Sequence, residues 1–268
     1  MIIVVTGASS GIGRATALLA AEEGHDVALL ARREEKLQEV AAECEERGAP
    51  STLVLPCDVA DDVAVEKAIG QACDEYGVID AVLHCAGVVS YGRTEDTTAE
   101  DFAQVVSTNL LGAASVARHV VPVLRRQRRG ALVLVGSLLG HIAVPEMTPY
   151  VVSKWGVLAL ARQLRIENVD LPGVRIVHVA PGSVDTPIYD NALDAAGGVN
   201  SPPPPSISPE RAARVIYDQI GSLRGRLQAS VQTSWTNHGL VAAFRLAPVV
   251  WDRAVGPAFQ AVSRRRGS

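Results

Sequence analysis

Ile2-Ile-Val-Val-Thr-Gly-Ala-Ser-Ser-Gly-Ile-Gly13 is the stretch that decides the fold of this chain. Its first four residues form a β-branched apolar run, which is typical of a strand buried on both faces of a parallel sheet. An apolar pattern with helical spacing follows from Ile12 onwards. A strand, a glycine turn and a helix in this order are the context that a dinucleotide-binding fingerprint requires.

The glycines of this turn have the spacing Gly-xxx-Gly-x-Gly instead of the usual Gly-x-Gly-xx-Gly. A residue without a side chain lets a pyrophosphate approach the backbone, and the helix start offers free N–H groups and a positive dipole end. An ordinary βα turn can also contain such a triplet, so the motif needs support from elsewhere in the chain. The residues expected at the phosphates are Gly7, Ser9, Ser10, Gly11, Ile12 and Gly13.

The second apolar run, Asp26–Ala31, ends in Arg32-Arg33. A site for NAD usually carries an acid near this point to bind the ribose hydroxyls. Two guanidiniums can instead hold a 2′-phosphate with bidentate geometry. We therefore expect NADP(H), with NAD(H) less favoured and Arg32 as the stronger candidate. The alternative is that Arg32 and Arg33 are a solvated basic pair without a ligand. Arg14 either reaches the phosphates or faces water.

A third set of residues suggests proton transfer. Residues 131–136 form an apolar strand that ends before Ser137. Tyr150 and Lys154 are four apart and share one face of the predicted next helix. A neighbouring ammonium favours the phenolate and should lower the tyrosine pKa from about 10. Tyr150 is then a candidate acid or base, and Ser137 a hydrogen-bond donor to the reacting oxygen.

Further runs complete the alternation of strands and helices. Leu53–Val59 and residues 80–87 are predicted as strands, and residues 33–47 and 61–76 as helices. Alternating units of this kind predict a parallel sheet with helices on both faces. The length of 268 residues fits one such domain. We divide it into a cofactor-binding and catalytic core (1–186) and a substrate-binding loop with a C-terminal helical extension (187–268).

Together these residues resemble the short-chain dehydrogenase/reductase family, from Thr6 to about Thr186. The resemblance implies an α/β fold: a doubly wound, Rossmann-type parallel sheet of seven strands. It also implies that Tyr150 is the catalytic acid or base, that Lys154 binds the nicotinamide ribose, and that Ser137 orients the substrate. Further positions are assigned only by the resemblance: Asn109 in a water-mediated proton relay, Asp58 and Val59 at the adenine, Ala86 and Gly87 beneath the cofactor, and Pro181, Gly182, Val184 and Thr186 at the carboxamide and pyrophosphate.

One position departs from the family pattern. The family usually has Asn-Ala-Gly where this chain has Cys85-Ala-Gly87, preceded by His84. The asparagine normally braces the sheet, whereas a cysteine packs as a small apolar residue and accepts hydrogen bonds weakly. We expect a buried, inert thiol and an effect on local stability more than on catalysis.

The resemblance weakens after Thr186. We expect a short helix over 187–198, a polyproline-like loop over 200–206, a helix capped by Ser208 that runs to about Ser222, and a last strand over 226–231. The candidate substrate wall is apolar and favours a lipophilic ketone, aldehyde, steroid or fatty-acyl chain. Its members are Leu138, Leu139, Val144, Met147 and Ile188, with Ile142 and Tyr189 beside them, and His141 is expected to be structural or solvent-facing instead of catalytic.

Residues 239–262 are mainly apolar, and Pro248 and Pro257 are expected to break them into short helical pieces. Three interpretations stay open: a subunit interface, a cap on the substrate pocket, or contact with a membrane surface. We favour the first two, although the basic tail Arg264–Arg266 keeps the third open.

Composition excludes several classes of function. The net charge is −4, which does not indicate a nucleic-acid surface. The four cysteines lack metal-ligand spacing and fit reduced thiols in a cytoplasm, so we expect no metal. No run approaches the roughly 20 apolar residues of a membrane span, and the first strand leaves no room for a signal peptide.

The sequence therefore predicts a cytoplasmic NADP(H)-dependent oxidoreductase that acts on a small-molecule carbonyl or secondary alcohol. The resemblance adds a homodimer or homotetramer joined through helices near 100–127 and 149–168. The alternatives are an NAD-dependent alcohol dehydrogenase working oxidatively and a cofactor-binding regulator without turnover.

Overall fold

The computed structural model describes residues 1–194, 202–221 and 230–264. The apolar runs form the strands β1 (Ile2–Thr6), β2 (Asp26–Ala31), β3 (Thr52–Pro56), β4 (Ala81–His84), β5 (Ser90–Tyr91), β6 (Gly130–Val135), β7 (Val174–Ala180), β8 (Ser183–Val184), β9 (Leu193–Asp194), β10 (Ser206–Ile207) and β11 (Val231–Gln232). The helices are α1 (Gly11–Glu22), α2 (Glu34–Glu46), α3 (Asp62–Tyr76), α4 (Ala99–Val106), α5 (Gly112–Gln127), α6 (Thr148–Glu167), α7 (Pro209–Tyr217), α8 (Trp235–Leu246) and α9 (Pro248–Arg264), with a π turn at Ser107–Leu111 and a 3-10 turn at Leu138–Gly140.

Seven of these strands form one parallel sheet in the order β11-β7-β6-β4-β1-β2-β3. β1 and β4 are neighbours in this sheet. β2 and β3 follow on one side of β1, and β6, β7 and β11 follow on the other side of β4, so the direction of strand addition reverses between β1 and β4. In sheets of this kind ligands bind at the carboxyl ends of the strands beside the reversal. The predicted seven-stranded, doubly wound parallel sheet is confirmed.

Two apolar layers hold the helices against the sheet. Leu29 faces one layer, which includes side chains from α1, α2 and α7, and Leu132 faces the other, which includes side chains from α3, α5 and α6. Both leucines are completely buried. Full burial of a leucine contributes about 1.5–3 kcal/mol, so the two layers fix the strands that carry the candidate site.

The structure corrects several predicted boundaries. β3 ends at Pro56 and β4 at His84, which leaves Asp58 and the 85–87 segment in the loops after the strands. The helix expected over 187–198 is a turn at 187–191 followed by β9, because Leu193 pairs with Ser90 of β5. Residues 195–201 lie outside the described part of the chain.

The predictions for the helices and the last strand of the C-terminal region are confirmed in part. Ser208 caps α7 by accepting a hydrogen bond from the Arg211 amide, and Pro209 opens the helix, as predicted. The last strand is Val231–Gln232, while residues 226–229 of the predicted strand lie outside the described residues. Pro248 separates α8 from α9, but Pro257 lies within α9 and does not end it.

An aromatic contact anchors these last helices beside the loop that follows β6. The Phe244 ring lies edge-to-face against Trp155 and Trp251, with centroid separations of 6.1 and 5.7 Å. The Trp251 indole N–H donates to the Ala143 carbonyl at 2.9 Å. Among the described residues, no helix is long and apolar enough to cross a membrane.

Candidate active site

A cleft of about 380 Å³ opens at the carboxyl ends of the strands, where the strand order reverses. Its walls come from the loops after β1, β2, β3 and β4 and from the segment after β8. Most of the predicted cofactor contacts lie along it: Gly7, Ser9, Ser10, Gly11, Ile12, Gly13, Arg32, Arg33, Asp58, Val59, Ala86, Gly87 and Thr186.

The glycine loop is built around two close approaches. A Cβ atom on Gly13 would lie 2.2 Å from the Gly7 carbonyl oxygen, and one on Gly7 would lie 2.8 Å from the backbone of Ala86. Gly7 also has a φ of +67°, in the left-handed region that favours glycine. The loop therefore needs glycine at both positions to pack against its own start and against the loop after β4.

The start of α1 fits an anionic group. Ser10 stands at the N-cap, but its side chain makes no capping hydrogen bond. The first amides of the helix are thus free of a side-chain acceptor, and they point at the cleft with the positive end of the helix dipole. In the glycine loop, added Cβ atoms at Gly7 and Gly13 would fill the space beside these amides. The loop and the helix start together fit the pyrophosphate of a dinucleotide.

Two guanidiniums lie at the far end of the cleft. Arg32 and Arg33 are both exposed, and the Arg33 guanidinium donates to the Ser9 hydroxyl at 3.4 Å. Neither forms an ion pair with a carboxylate of the described residues. Arg14 is different, because its guanidinium pairs with Glu43 on α2. Arg14 therefore serves the packing of α1 against α2 rather than the cleft.

Not every predicted cofactor contact lines this cleft. The Pro181 carbonyl accepts from the Leu138 amide at 2.7 Å, and the Gly182 amide donates to the Thr233 hydroxyl at 3.3 Å. Val184 is buried and pairs with Ile207 in the β8–β10 ribbon. These three residues hold the segment that presents Thr186, which lies against Gly11.

Ser137 and Tyr150 form a pair that does not line the cleft itself, and Lys154 lies between the Tyr150 ring and Gly87, which does line it. Ser137 follows β6, and its hydroxyl oxygen accepts a hydrogen bond from the Leu139 amide at 3.1 Å. That contact leaves the Ser137 proton free to be donated, and the hydroxyl forms a side-chain hydrogen bond with Tyr150. Ser137 is 7% exposed, so little water competes for this bond.

Burial dominates the pKa of Tyr150. It raises the pKa to about 12, while the hydrogen bond from Ser137 opposes the rise and nearby Tyr189 adds to it. The sequence predicted a lowered value through the Lys154 ammonium, and this prediction is wrong for the structure. A buried phenolate loses more hydration than its neighbours return. Tyr150 is therefore a protonated phenol at neutral pH.

Lys154 occupies a buried position behind the tyrosine. Its ammonium donates to the Val135 carbonyl at 3.2 Å and stands 5.6 Å from the centre of the Tyr150 ring. Burial lowers its pKa to about 8. It also lies next to Gly87, where an added Cβ would be 3.5 Å from Nζ. Lys154 thus connects the tyrosine to the floor of the cleft.

Asn109 lies in the π turn between α4 and α5. Its amide nitrogen donates to the Val88 carbonyl at 2.9 Å and to the Ser153 hydroxyl at 3.0 Å, and its oxygen accepts from the Val88 amide at 2.8 Å. π turns inside helices occur often at functional sites. Here the extra residue turns Asn109 inward, where it fixes the loop after β4 and the face of α6 that carries Lys154.

The sequence matches the family described as short chain dehydrogenase over residues 1–196. The chain belongs to the short-chain dehydrogenase family. Members of this family are oxidoreductases that bind a nicotinamide cofactor.

Relatives within the family carry names of reductases and dehydrogenases. The chain is 33% identical over 196 residues to the human dehydrogenase/reductase SDR family member 7, a match that covers 72% of this chain and 58% of the human protein. It therefore spans less than two thirds of that relative. It is 31% identical over 202 residues to the NADPH-dependent pterin aldehyde reductase of Arabidopsis thaliana, covering 75% and 82%.

A solved relative shares the fold. The alcohol dehydrogenase of the archaeon Thermococcus sibiricus, complexed with 5-hydroxy-NADP, superimposes with a TM-score of 0.73 at 28% sequence identity. The superposition covers 86% of this chain and 94% of the archaeal chain. The likeness thus extends beyond the core into the C-terminal part.

This member of the short-chain dehydrogenase family departs from the usual pattern at Cys85, which follows His84. The His84 Nδ1 atom lies 2.9 Å from the Thr6 hydroxyl, which accepts from the Ala86 amide at 3.2 Å. These bonds tie β1 to the loop after β4. Burial raises the pKa of the Cys85 thiol to about 12, which favours the inert form, but Cys85 is half-buried and lines the cleft instead of being buried as predicted.

The apolar wall predicted for the substrate is only partly exposed to the cleft. Ile188 lines it. Leu139 and Val144 are half-buried, whereas Leu138 and Met147 are 9% and 6% exposed and belong to the packing of the 138–147 loop. His141 is also buried, with Nε2 2.9 Å from the Ser230 hydroxyl, which fits a structural position and not the solvent-facing alternative.

Sequence reasoning missed several residues of the cleft: Cys57, Val88, Gln104, Thr108, Asn191 and Leu193. Thr108 precedes Asn109, and Gln104 lies four positions earlier on the same helical face, so this spacing was a usable signal. Asn191 and Leu193 carried no such signal, because the β5–β9 pairing that brings them to the cleft joins residues about a hundred positions apart.

Proposed function

We propose that this chain is an NADP(H)-dependent oxidoreductase that reduces the carbonyl group of a lipophilic small molecule. The observation that carries the proposal is the Tyr150 phenol, hydrogen-bonded to Ser137, with its ring centre 5.6 Å from the Lys154 ammonium, which lies next to Gly87 of the cleft wall. A phenol held in its acid form suits donation of a proton to a carbonyl oxygen. The same groups run the reverse oxidation when the phenol has given up its proton.

The protein's part in this reaction is proton transfer and positioning. A bound nicotinamide supplies the hydride that adds to the carbonyl carbon. Tyr150 gives its proton to the carbonyl oxygen, so that an alcohol forms, and Ser137 donates a hydrogen bond to the oxygen as negative charge develops. The Lys154 ammonium, held by the Val135 carbonyl, is placed to stabilise the tyrosinate that remains.

The preference for NADP(H) rests on Arg32 and Arg33. Both line the cleft, and the loop after β2 carries no acid before Glu34, which begins α2. A 2′-phosphate would bring two negative charges to these guanidiniums, whereas NAD(H) has none to offer. The names of the plant reductase and of the archaeal complex support the same preference.

The proposed substrate class is supported by apolar side chains of the cleft and of the loop after Ser137. Ile188 and Leu193 line the cleft, and Leu139 and Val144 are half-buried beside the loop after Ser137. Apolar side chains of this kind favour a ketone, aldehyde, steroid or fatty-acyl chain over a sugar.

A homodimer or homotetramer through the long helices, and a cytoplasmic location, remain part of the proposal. Leu111, Val152 and Ile166 expose 56%, 46% and 56% of their surface on or beside α5 and α6. Large apolar residues grouped on neighbouring helices support an interface between copies.

The test compares cofactor binding and turnover in Tyr150→Phe. We expect NADPH to bind the purified protein more tightly than NADH in a fluorescence titration, and NADPH to be consumed with a panel of lipophilic ketones and aldehydes. Loss of the acid should lower kcat by about 100-fold or more while NADPH affinity stays near that of the unmodified chain.

Tyr76→Phe is the matched control, because Tyr76 contacts Ser51 far from the cleft. It should retain both binding and turnover. Undiminished turnover in Tyr150→Phe would contradict the mechanism. Tight NADPH binding without turnover of any carbonyl would instead favour a cofactor-binding regulator.

A further inference from the structure

The first of the two C-terminal helices, α8, packs one face against the rest of the protein. The Asn237 side chain is 3% exposed and donates to the Ala180 carbonyl at 3.2 Å. Seven positions later, two turns along α8, Phe244 lies between Trp155 and Trp251. These contacts fix which side of α8 faces the protein and which side faces away from it.

The outer face of α8 is apolar instead of polar. Trp235 and Leu246 are 90% and 85% exposed. They are eleven residues apart, about three helical turns, and so lie on one side of the helix. Gly239 and Ala242 lie between them on the same side and are exposed. The surface continues past the Pro248 corner onto Val249 and Val250, 62% and 66% exposed.

We call these six residues, Trp235, Gly239, Ala242, Leu246, Val249 and Val250, the C-terminal apolar stripe. A helix on the surface of a soluble protein normally turns charged and polar residues to water. Contiguous apolar exposure of this kind marks a contact surface. None of the described parts of the chain covers it.

The charge around the stripe indicates what it contacts. Residues 235–268 contain five arginines and one aspartate, a net charge of +4, while the whole chain carries −4. Residues 1–234 therefore carry −8. Arg245 and Arg253 are exposed next to the stripe, and the sequence contains three further arginines at positions 264–266. Along the chain, an acidic body of residues 1–234 is thus followed by a basic and apolar C-terminal segment.

We propose that this end docks on the surface of an anionic phospholipid bilayer. The stripe would enter the boundary between headgroups and acyl chains, the arginines would meet lipid phosphates, and the Trp235 indole would lie at the interface that such rings prefer. The acidic body is repelled by the same surface, so the charge asymmetry also orients the molecule.

A second copy of the chain fits the stripe less well. A two-fold contact would bring the same patch of both copies together. Arg245 and Arg253 of one copy would then lie near those of the other, and like charges at the rim oppose association. Lipid phosphates neutralise these charges instead.

Docking would place the substrate side of the site near the lipid. Trp251 holds the Ala143 carbonyl, in the loop that follows Ser137. This consequence rests on the proposed function, whereas the docking does not, so the test measures binding to vesicles without any turnover.

The experiment is co-sedimentation of the full chain with two kinds of vesicle, phosphatidylcholine alone and phosphatidylcholine mixed with phosphatidylserine at roughly three to one. We expect sedimentation with the mixed vesicles and little with the neutral ones. The double variants Leu246→Glu/Val249→Glu and Arg245→Gln/Arg253→Gln should each lower the partition coefficient by about tenfold or more, because one removes apolar insertion and the other removes charge.

Val169→Glu is the matched control, since Val169 is 80% exposed at the end of α6 and outside the stripe. It should bind mixed vesicles like the unmodified chain, and circular dichroism melting should show all variants folded. Absence of binding to mixed vesicles, or binding unchanged by either double variant, would overturn the proposal. So would light scattering that shows Leu246→Glu/Val249→Glu dissociating an oligomer while no form binds vesicles, because a second copy would then be the occupant.

Discussion

At the scale of single residues, burial favours the neutral forms of both Tyr150 and Lys154. It raises the pKa of the phenol to about 12 and lowers that of the ammonium to about 8. The spacing Tyr-xxx-Lys predicted that the two groups lie on one face, and they do. Their titration depends on how much water each loses, which spacing along a helix does not specify.

Cofactor choice is a property of individual guanidiniums, and Arg32→Ala tests it. We expect NADPH affinity to fall by about 10- to 100-fold, the effect of one charge-assisted bidentate contact, with NADH affinity little changed. Fluorescence titration with both cofactors measures the ratio.

Arg14→Ala is the control, because Arg14 also belongs to the glycine-loop helix but pairs with Glu43. It should leave the ratio of the two affinities unaltered. If Arg32→Ala lowered the affinities for NADPH and NADH equally, Arg32 would not bind the 2′-phosphate.

At the scale of elements, the turn between β1 and α1 depends on distances that only glycine tolerates. Gly13→Ala would place a methyl group 2.2 Å from the Gly7 carbonyl oxygen. That atom belongs to the backbone, so the start of α1 must move. We expect a loss of about 1–3 kcal/mol in the free energy of unfolding and a larger proportional loss of NADPH affinity.

Gly70→Ala provides the opposite case within the same fold. Gly70 lies inside α3, and an added Cβ has nothing within 4 Å. Alanine there should stabilise the protein by about 0.5–1 kcal/mol and leave cofactor binding alone. Urea denaturation and NADPH titration of both variants check the pair, and equal effects would contradict the close approach at Gly13.

At the scale of the whole molecule, three buried histidines link stability to pH. Burial lowers the pKa of His84 and His178 to about 3 and that of His141 to about 4, and neighbouring positive charge adds to each effect. Their folded pKa values lie below the ordinary value of 6.5. The unfolded chain therefore binds more protons, and stability present above pH 6.5 is lost as the pH falls towards 3 or 4.

His178→Asn should reduce that dependence. Each such histidine contributes a slope of about 1.4 kcal/mol per pH unit where only the unfolded state is protonated. We expect the free energy of unfolding to fall less steeply between pH 6 and about 4.5 in the variant than in the unmodified chain. Urea denaturation at several pH values gives the slope of the free energy of unfolding against pH. The slopes of the variant and the unmodified chain can be compared even if the variant is less stable at every pH. Identical slopes would exclude His178 as a contributor.

The sequence alone determined the parallel sheet, the glycine turn, the helix that presents Tyr150 and Lys154, and the cap at Ser208, because these depend on patterns within a few residues of one another. The tertiary structure decided what depends on distant partners: Leu193 reaches the cleft by pairing with β5, Arg14 is taken by Glu43, and Pro257 is accommodated inside α9. The titration of Tyr150 belongs to the same group. Burial and charge pairing are sums over atoms from several elements, so no local pattern contains them.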